Sequence, residues 1–405
     1  MRIAILGLAT LFACSAPPAR RQLLTTPQPP PPAPLPVVFV PPPAPPSALP
    51  EGVRLPRLFT PTGYTAHLVI DPGKPTFTGS ITILGEVKEH TPVIWLHGRH
   101  LKITSSPNVT VTPVGEDLLE VHGDFQPGSL TLAMEYTGEV DELNTTGMFE
   151  ETVGKHTYVY SQFEAIYARR VFPCLDEPDS KVPWQLTIDA PKGSIAVSNT
   201  PVATVTDLPG GGHRYEFVRT RPLPSYLIAF GVGPFDVVDA GKTKSGVPVH
   251  IVTLAGRSAD AAWAAKTTPH ILDLLEEWFG IPYPYEKADM LTIPTTVGFG
   301  AMENPGLVTY SEAYMLIDAA HPSWSSRYTW VLGASHELAH QWFGDFVTTA
   351  WWDDIWLNEG FANWMEKKIT GRFEPAWHEE LDELEMRESA LEADSVVTAR
   401  QVRQP

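Results

Sequence analysis

The spacing of apolar residues changes once along this chain, and that change limits the available folds more than any other feature. Between residues 57 and about 240 the period is two. Tyr64, Ala66, Leu68 and Ile70 fall at alternate positions, as do Leu130, Leu132, Met134 and Tyr136. Alternation of this kind makes strands with one buried face. Asp71-Pro72-Gly73 and Pro209-Gly210-Gly211-Gly212 supply turns between them. After about residue 255 the period becomes helical. Ile271, Leu274, Leu275 and Trp278 share one helix face, and Gly280 closes the segment. A strand-like run from Met290 to Ile293 leads into Gly298-Phe299-Gly300, and helical segments follow around 327–344 and 355–369. An acidic helix is predicted over 374–394, with Pro375 near its start. The expected architecture is a β-rich domain at 57–245 followed by an α/β, mainly helical domain at 246–405. With 405 residues, 43% hydrophobic and 19% charged, the chain has the composition of a multidomain globular protein.

The first 56 residues belong to neither part. Arg2 precedes a short apolar run, Ile3 to Phe12, that is too short to span a bilayer as a helix. Leu11-Phe12-Ala13-Cys14 resembles a bacterial lipobox. The expectation is a signal segment at 1–14, export to the cell envelope and membrane contact through a lipid anchor on Cys14, with ordinary signal cleavage as the alternative. Residues 15–56 are dominated by proline, which lacks the backbone donor and fixes φ. They read as a disordered tether with a reach on the order of 120 Å. Only Cys14 and Cys174 are present, so a disulfide scaffold is not expected. The formal charge is −18, and the chain has no basic cluster suited to nucleic acid.

His336-Glu337-Leu338-Ala339-His340 carries the chemistry. Four residues make slightly more than one helical turn, so both imidazoles project from one face and can bind one zinc ion. Glu337 lies about 100° around the helix from His336, where its carboxylate faces a water rather than the metal. Glu359 follows 19 residues after His340, at the start of a second helical segment that a short loop can fold back. Two histidines and a glutamate form a zinc set with one position left for water. Asn363 and Glu366 lie one and two turns further on, as candidates to orient an imidazole.

The run from His336 to Gly344, followed by Trp351-Trp352-Asp353-Asp354-Ile355-Trp356-Leu357-Asn358-Glu359-Gly360-Phe361-Ala362, resembles the aminopeptidase N family of gluzincins. The resemblance implies that His336, His340 and Glu359 bind one zinc and that Glu337 is the general base. It implies a saddle-like β-domain before an incomplete thermolysin-like catalytic domain. Gly300-Ala301-Met302-Glu303-Asn304 matches the family's exopeptidase motif. A fixed carboxylate at Glu303 can hold a free α-ammonium by a charge-assisted hydrogen bond. Cleavage is thereby confined to one residue from the end. Gly300 and Ala301 let backbone approach the substrate.

Ser161-Gln162-Phe163-Glu164 and the stretch from Ala168 to Pro178 are similar to the family's β-domain signature, which gives Gln162 and Glu164 a share in holding the amine. Asp176 and Glu177 are expected to serve structure and the domain interface, and Cys174 to be a buried small hydrophobe. Phe279-Gly280-Ile281-Pro282-Tyr283-Pro284-Tyr285-Glu286-Lys287 also resembles the family's approach to its catalytic domain. The implied substrates are peptides with a free N-terminus.

One departure accompanies the likeness. The family's oxyanion-stabilising tyrosine would fall beyond Pro405, and no tyrosine follows Tyr328. The expectation is an incomplete catalytic domain with a further C-terminal part elsewhere. The alternative readings are a zinc-containing peptide-binding fragment with impaired turnover and a member of the family's epoxide-hydrolase branch. An endopeptidase is disfavoured, because Glu303 and Glu164 would block an internal peptide.

Overall fold

A computed structural model describes residues 54–399. The leader with Cys14, the proline-rich stretch up to residue 53 and the tail from residue 400 lie outside the described residues.

The first part is built of three sheets, as the alternating pattern requires. In the largest, the strand Phe59–Val69 pairs antiparallel with Thr76–Val87 and parallel with Trp184–Ala190. Thr76–Val87 in turn pairs along its whole length with Gly128–Glu139. Seven strands make up this sheet. Tyr64, Ala66, Leu68, Leu132, Met134 and Tyr136 are all buried in its core, where Tyr64 stacks on Trp184 at 4.1 Å between ring centroids. A three-stranded sheet of Thr91–His97, Leu118–Phe125 and Thr110–Val114 packs alongside. A four-stranded sheet of Ile195–Ser198, Phe230–Gly233, His156–Gln162 and Gly147–Val153 faces the second part and ends one of its central strands at Gln162.

The second part opens with a five-stranded sheet in the order Asp236–Lys242, Pro248–Thr253, Ala288–Ile293, Leu307–Ser311, Ala301–Met302. Its three inner strands are parallel and its two outer pairings antiparallel. The strand Asp236–Lys242, placed by the sequence pattern in the β-domain, belongs to this sheet, because it forms a hairpin with Pro248–Thr253.

Helices α1 (Ala262–Phe279), α2 (Glu312–Met315), α3 (Trp324–His340), α4 (Trp356–Phe373) and α5 (Glu379–Asp394) complete the part. Gly280 takes φ 64° and closes α1, as its position predicts. Ser323 caps α3 by accepting the Ser326 N–H at 2.9 Å. The acidic segment is not one helix from residue 374. Glu374 is extended at φ −145°, ψ 90°, as a residue before proline prefers. Pro375–Trp377 form a separate turn, and α5 begins at Glu379 after His378 at φ 57°. No described helix is long and apolar enough to cross a membrane.

One hydrophobic core runs through both parts. Between them, the Lys181 Nζ donates to the carbonyls of Asp345 and Phe346 at 2.6 and 2.9 Å and to the Thr348 hydroxyl at 2.9 Å. Tyr226 meets Trp352 edge-on at 5.1 Å.

Candidate active site

Helix α3 delivers His336 and His340 on one face, with their rings 4.8 Å apart. An aromatic seam brings α4 alongside: Phe343 packs on Phe361 at 4.5 Å, and Phe361 on Phe279 at 6.0 Å. That seam places Glu359, in the first turn of α4, opposite the two imidazoles. Gly344 sits at φ 137°, and a Cβ there would come within 3.1 Å of the His340 Nδ1, so the turn after α3 needs glycine to hug the ring.

Both imidazoles have acceptors at Nδ1: the Glu366 carboxylate at 3.0 Å from His336, and the Phe343 carbonyl at 3.3 Å from His340. Each acceptor fixes the proton on Nδ1 and leaves the Nε2 lone pair free. The two Nε2 atoms face each other at 3.2 Å, and the Glu359 oxygens lie 3.4 and 3.8 Å from them. Ligand atoms about 2.0–2.1 Å from one tetrahedral zinc ion stand roughly 3.3 Å apart. The set His336, His340 and Glu359 therefore fits one zinc-sized ion. Asn363, paired with Glu366 as a candidate in the sequence, makes no hydrogen bond to either imidazole among the described residues.

Around this set the carboxylates crowd. Oxygens of Glu164, Glu303 and Glu359 lie within 4.8 Å of one another, as do ligand atoms of Glu303, Glu337 and His340. Burial, followed by the charges of Glu164 and Glu359, pushes Glu303 well above the usual carboxylate range. Glu337 is raised to about 8 by burial and by neighbouring carboxylates, against the pull of His336. Glu164 is raised to about 7 by burial and Glu359. His340 is held down to about 4 by burial and His336. Buried acids so close together are stable as anions only with cations among them. A divalent ion and an ammonium group would supply three positive charges.

Glu303 directly follows the short strand Ala301–Met302, which pairs with Leu307–Ser311. Its Oε1 is buried and has no hydrogen-bond partner, and the same is true of the Gln162 Oε1. Both acceptors are thus free for a donor that the chain does not provide. A Cβ at Gly300 would come within 2.8 Å of the Tyr314 ring, which would have to shift to admit it. Ala301 is half-buried next to it. Two members of the predicted motif contribute differently. The Met302 side chain lies in the hydrophobic core, and the Asn304 amide turns inward to the Thr309 hydroxyl at 3.5 Å. Strand alternation sends Met302 away from Glu303, so its part in substrate contact is limited to backbone.

Gln341 received no role from its sequence position. Its amide donates to the Glu303 carbonyl at 2.6 Å and accepts from the Tyr283 hydroxyl at 2.9 Å, tying the end of α3 to the exopeptidase strand. Its place directly after His340 was the available signal. Asp176 and Glu177 are structural within the β-domain. Asp176 accepts from Arg169 at 2.9 Å and Ser225 at 2.6 Å, while Glu177 accepts from the Leu55 N–H at 2.6 Å and pairs with Arg57 at 2.7 Å. Cys174 is free and buried.

A β-domain that feeds one carboxylate, Glu164, into a cleft beside a His–His–Glu helix pair and the Glu303 strand defines a metallopeptidase of the gluzincin kind. The family model described as "Peptidase M1 N-terminal domain" matches residues 60–227, and that described as "Peptidase family M1 domain" matches residues 263–405. The chain belongs to peptidase family M1, whose members are zinc-dependent. Aminopeptidase M1-D of Oryza sativa subsp. japonica is 34% identical over 366 residues, which is 86% of this chain and 41% of that protein. Puromycin-sensitive aminopeptidase of Caenorhabditis elegans is 34% identical over 344 residues, 80% of this chain and 36% of its own length. Glutamyl aminopeptidase of Homo sapiens is 33% identical over 352 residues, 81% and 36% respectively. The chain spans about two fifths of the length of the curated relatives it matches.

Proposed function

We propose that the chain carries the site of a zinc aminopeptidase that removes N-terminal residues from peptides. The observation that carries the reading is the pairing of a zinc-sized ligand triangle with the unpartnered, buried Glu303 carboxylate a few ångströms away. His336, His340 and Glu359 would hold the zinc, which would supply Lewis-acid polarisation of the scissile carbonyl and a lowered pKa for the attacking water. Glu337 takes the water's proton and returns it to the leaving amine. Glu303 and Glu164 bind the substrate's α-ammonium, Gln162 adds an acceptor, and the backbone at Gly300 and Ala301 lies along the peptide. Because the ammonium is anchored, the first peptide bond alone reaches Glu337.

The reading extends to place. The lipobox-like Cys14 and the proline-rich stretch after it support an exported protein tethered to the cell envelope.

The exopeptidase assignment is tested with paired substrates, an aminoacyl anilide and its N-acetylated form. The zinc-loaded chain should cleave the free amine and leave the capped one intact. Glu303→Ala should lower kcat/KM for the free amine by about a hundredfold, the loss of roughly 2.7 kcal/mol of charge-assisted binding. Equal cleavage of capped and free substrates would sink the proposal.

A further inference from the structure

The turn that carries Glu303 is pinned from two sides, and one of the pins comes from the β-domain. On the catalytic side, the Lys287 ammonium donates to the Gly306 carbonyl at 2.7 Å, and the Asp289 N–H reaches the same oxygen at 3.1 Å. Asn304 closes the turn by accepting the Leu307 N–H at 3.0 Å. On the other side stands Asn199, at the end of the strand Ile195–Ser198 and 3% exposed. Its Nδ2 donates to the Leu227 carbonyl at 2.8 Å and to the Pro305 carbonyl at 2.9 Å, and its Oδ1 accepts the Ala229 N–H at 2.8 Å. Both amide protons are used, one on each domain. Contact is also tight in the backbone. A Cβ on Gly306, at φ 71°, would lie 2.0 Å from the Asn199 carbonyl oxygen, a spacing that glycine alone permits.

Pro305 is two residues from Glu303. Gln341 holds the Glu303 carbonyl from α3, and the Asn199 bond joins it in setting the height of the ammonium-binding carboxylate relative to Gln162 and Glu164, which reach the cleft from the same domain as Asn199. We propose that Asn199 is a positioning residue for recognition of the substrate's α-ammonium, acting through Pro305 and Glu303 without touching substrate or metal. Removing its side chain strands two carbonyls and one N–H in a buried place. The turn is then free to drift, and a misplaced carboxylate loses a charge-assisted hydrogen bond that is steeply dependent on geometry. Among the described residues the side-chain hydrogen bonds of Asn199 go to Leu227, Ala229 and Pro305 and not to α3 or α4, which carry the zinc ligands, so metal binding should be spared.

This inference rests on the aminopeptidase reading, and the test separates the two. The probes are leucine hydroxamate, which offers a metal-binding group and a free ammonium, and 4-methylpentanohydroxamate, the same molecule without the amine. Affinities for both are measured calorimetrically on the zinc-loaded full chain. The parent should prefer leucine hydroxamate. Asn199→Ala should lower that preference about tenfold, with zinc content and affinity for the amine-free probe unchanged. A merely structural role would weaken both probes alike. A parent with no preference would overturn the aminopeptidase reading and the role of Asn199 with it. A selective parent and an equally selective Asn199→Ala would overturn the role of Asn199 alone, as would equal loss of both probes. If Asn199→Ala does not fold, Asn199→Asp carries the test, since it keeps the acceptor for Ala229 and loses both donors. If neither variant folds, Asn199 is part of the framework and the assignment is wrong.

Discussion

Among the described residues, two groups of buried and half-buried carboxylates differ in whether the chain answers their charge. In the β-domain, Asp176 has Arg169 and Ser225, and Glu177 has Arg57 and the Leu55 N–H. In the cleft, Glu164, Glu303, Glu337 and Glu359 gather around two imidazoles, and the Glu303 Oε1 has no partner at all. The first cluster is closed and holds strands together. The second is a demand for cations that the fold leaves open. In sequence both are simply acidic residues beside apolar ones. Only the presence or absence of a matching donor tells structure from function.

The contrast can be broken most severely in the β-domain. Arg169→Leu leaves the Asp176 charge buried and unpaired, and should cost about 3–5 kcal/mol in urea denaturation. Zinc affinity of the folded fraction should stay at the parental level. The cleft should respond to metal instead. At zinc concentrations about a hundred times Kd the chain should gain roughly 2.7 kcal/mol, and a chelator should reverse the gain. Arg169→Leu should show the same increment, measured by thermal melts with and without zinc. If zinc fails to stabilise either chain, the cleft is not the open cluster described.

A smaller effect sharpens the picture at one ligand. Glu366→Gln should weaken zinc binding about 10–100-fold in a competition titration, because His336 loses the carboxylate at its Nδ1. Stability of the zinc-free chain should barely move.

The smallest effect is in pH. His97 lies beneath Asp176, accepts that residue's N–H at 3.1 Å and is pushed down to about 2 by burial and by the nearby Arg169. The unfolded chain takes up this proton near pH 6.5 and the folded chain does not. Its contribution is therefore complete above pH 6.5 and is lost as pH falls towards 2. The step from pH 6.5 to 5.5 should cost about 1 kcal/mol, and His97→Asn should remove that slope. His250 runs the other way. The Asp289 hydrogen bond raises it against burial, so its stabilisation is present below pH 6.5 and is lost as pH rises through its folded value. His97→Asn and His250→Asn should therefore shift the pH dependence of the urea midpoint in opposite senses between pH 5 and 8.

What the sequence made legible follows the range over which spacing carries information. His336, Glu337 and His340 share one helix, so their geometry was fixed by residue count. Glu359 needed one short loop. The alternating strands around Tyr64 and Tyr136 were equally local. Asp236–Lys242 was legible as a strand, but period-two alternation does not say which sheet a strand will join, and it pairs with Pro248–Thr253. Pro375 was read as a helix start, while the extended Glu374 before it forces a separate turn. Asn199 and Gln341 were invisible as site residues. Their roles depend on contacts across 106 and 38 positions of chain, which no local pattern encodes.

The central claim is that the open acidic cluster is a hydrolytic metal site with Glu337 as its proton carrier. It is tested most directly by hydrolysis of a panel of aminoacyl anilides by the zinc-loaded chain and by Glu337→Gln. The account predicts zinc-dependent turnover in the parent and a loss of about 10³–10⁴ in kcat in the variant, with zinc still bound. Turnover that survives Glu337→Gln, or that persists after zinc is removed, would contradict it.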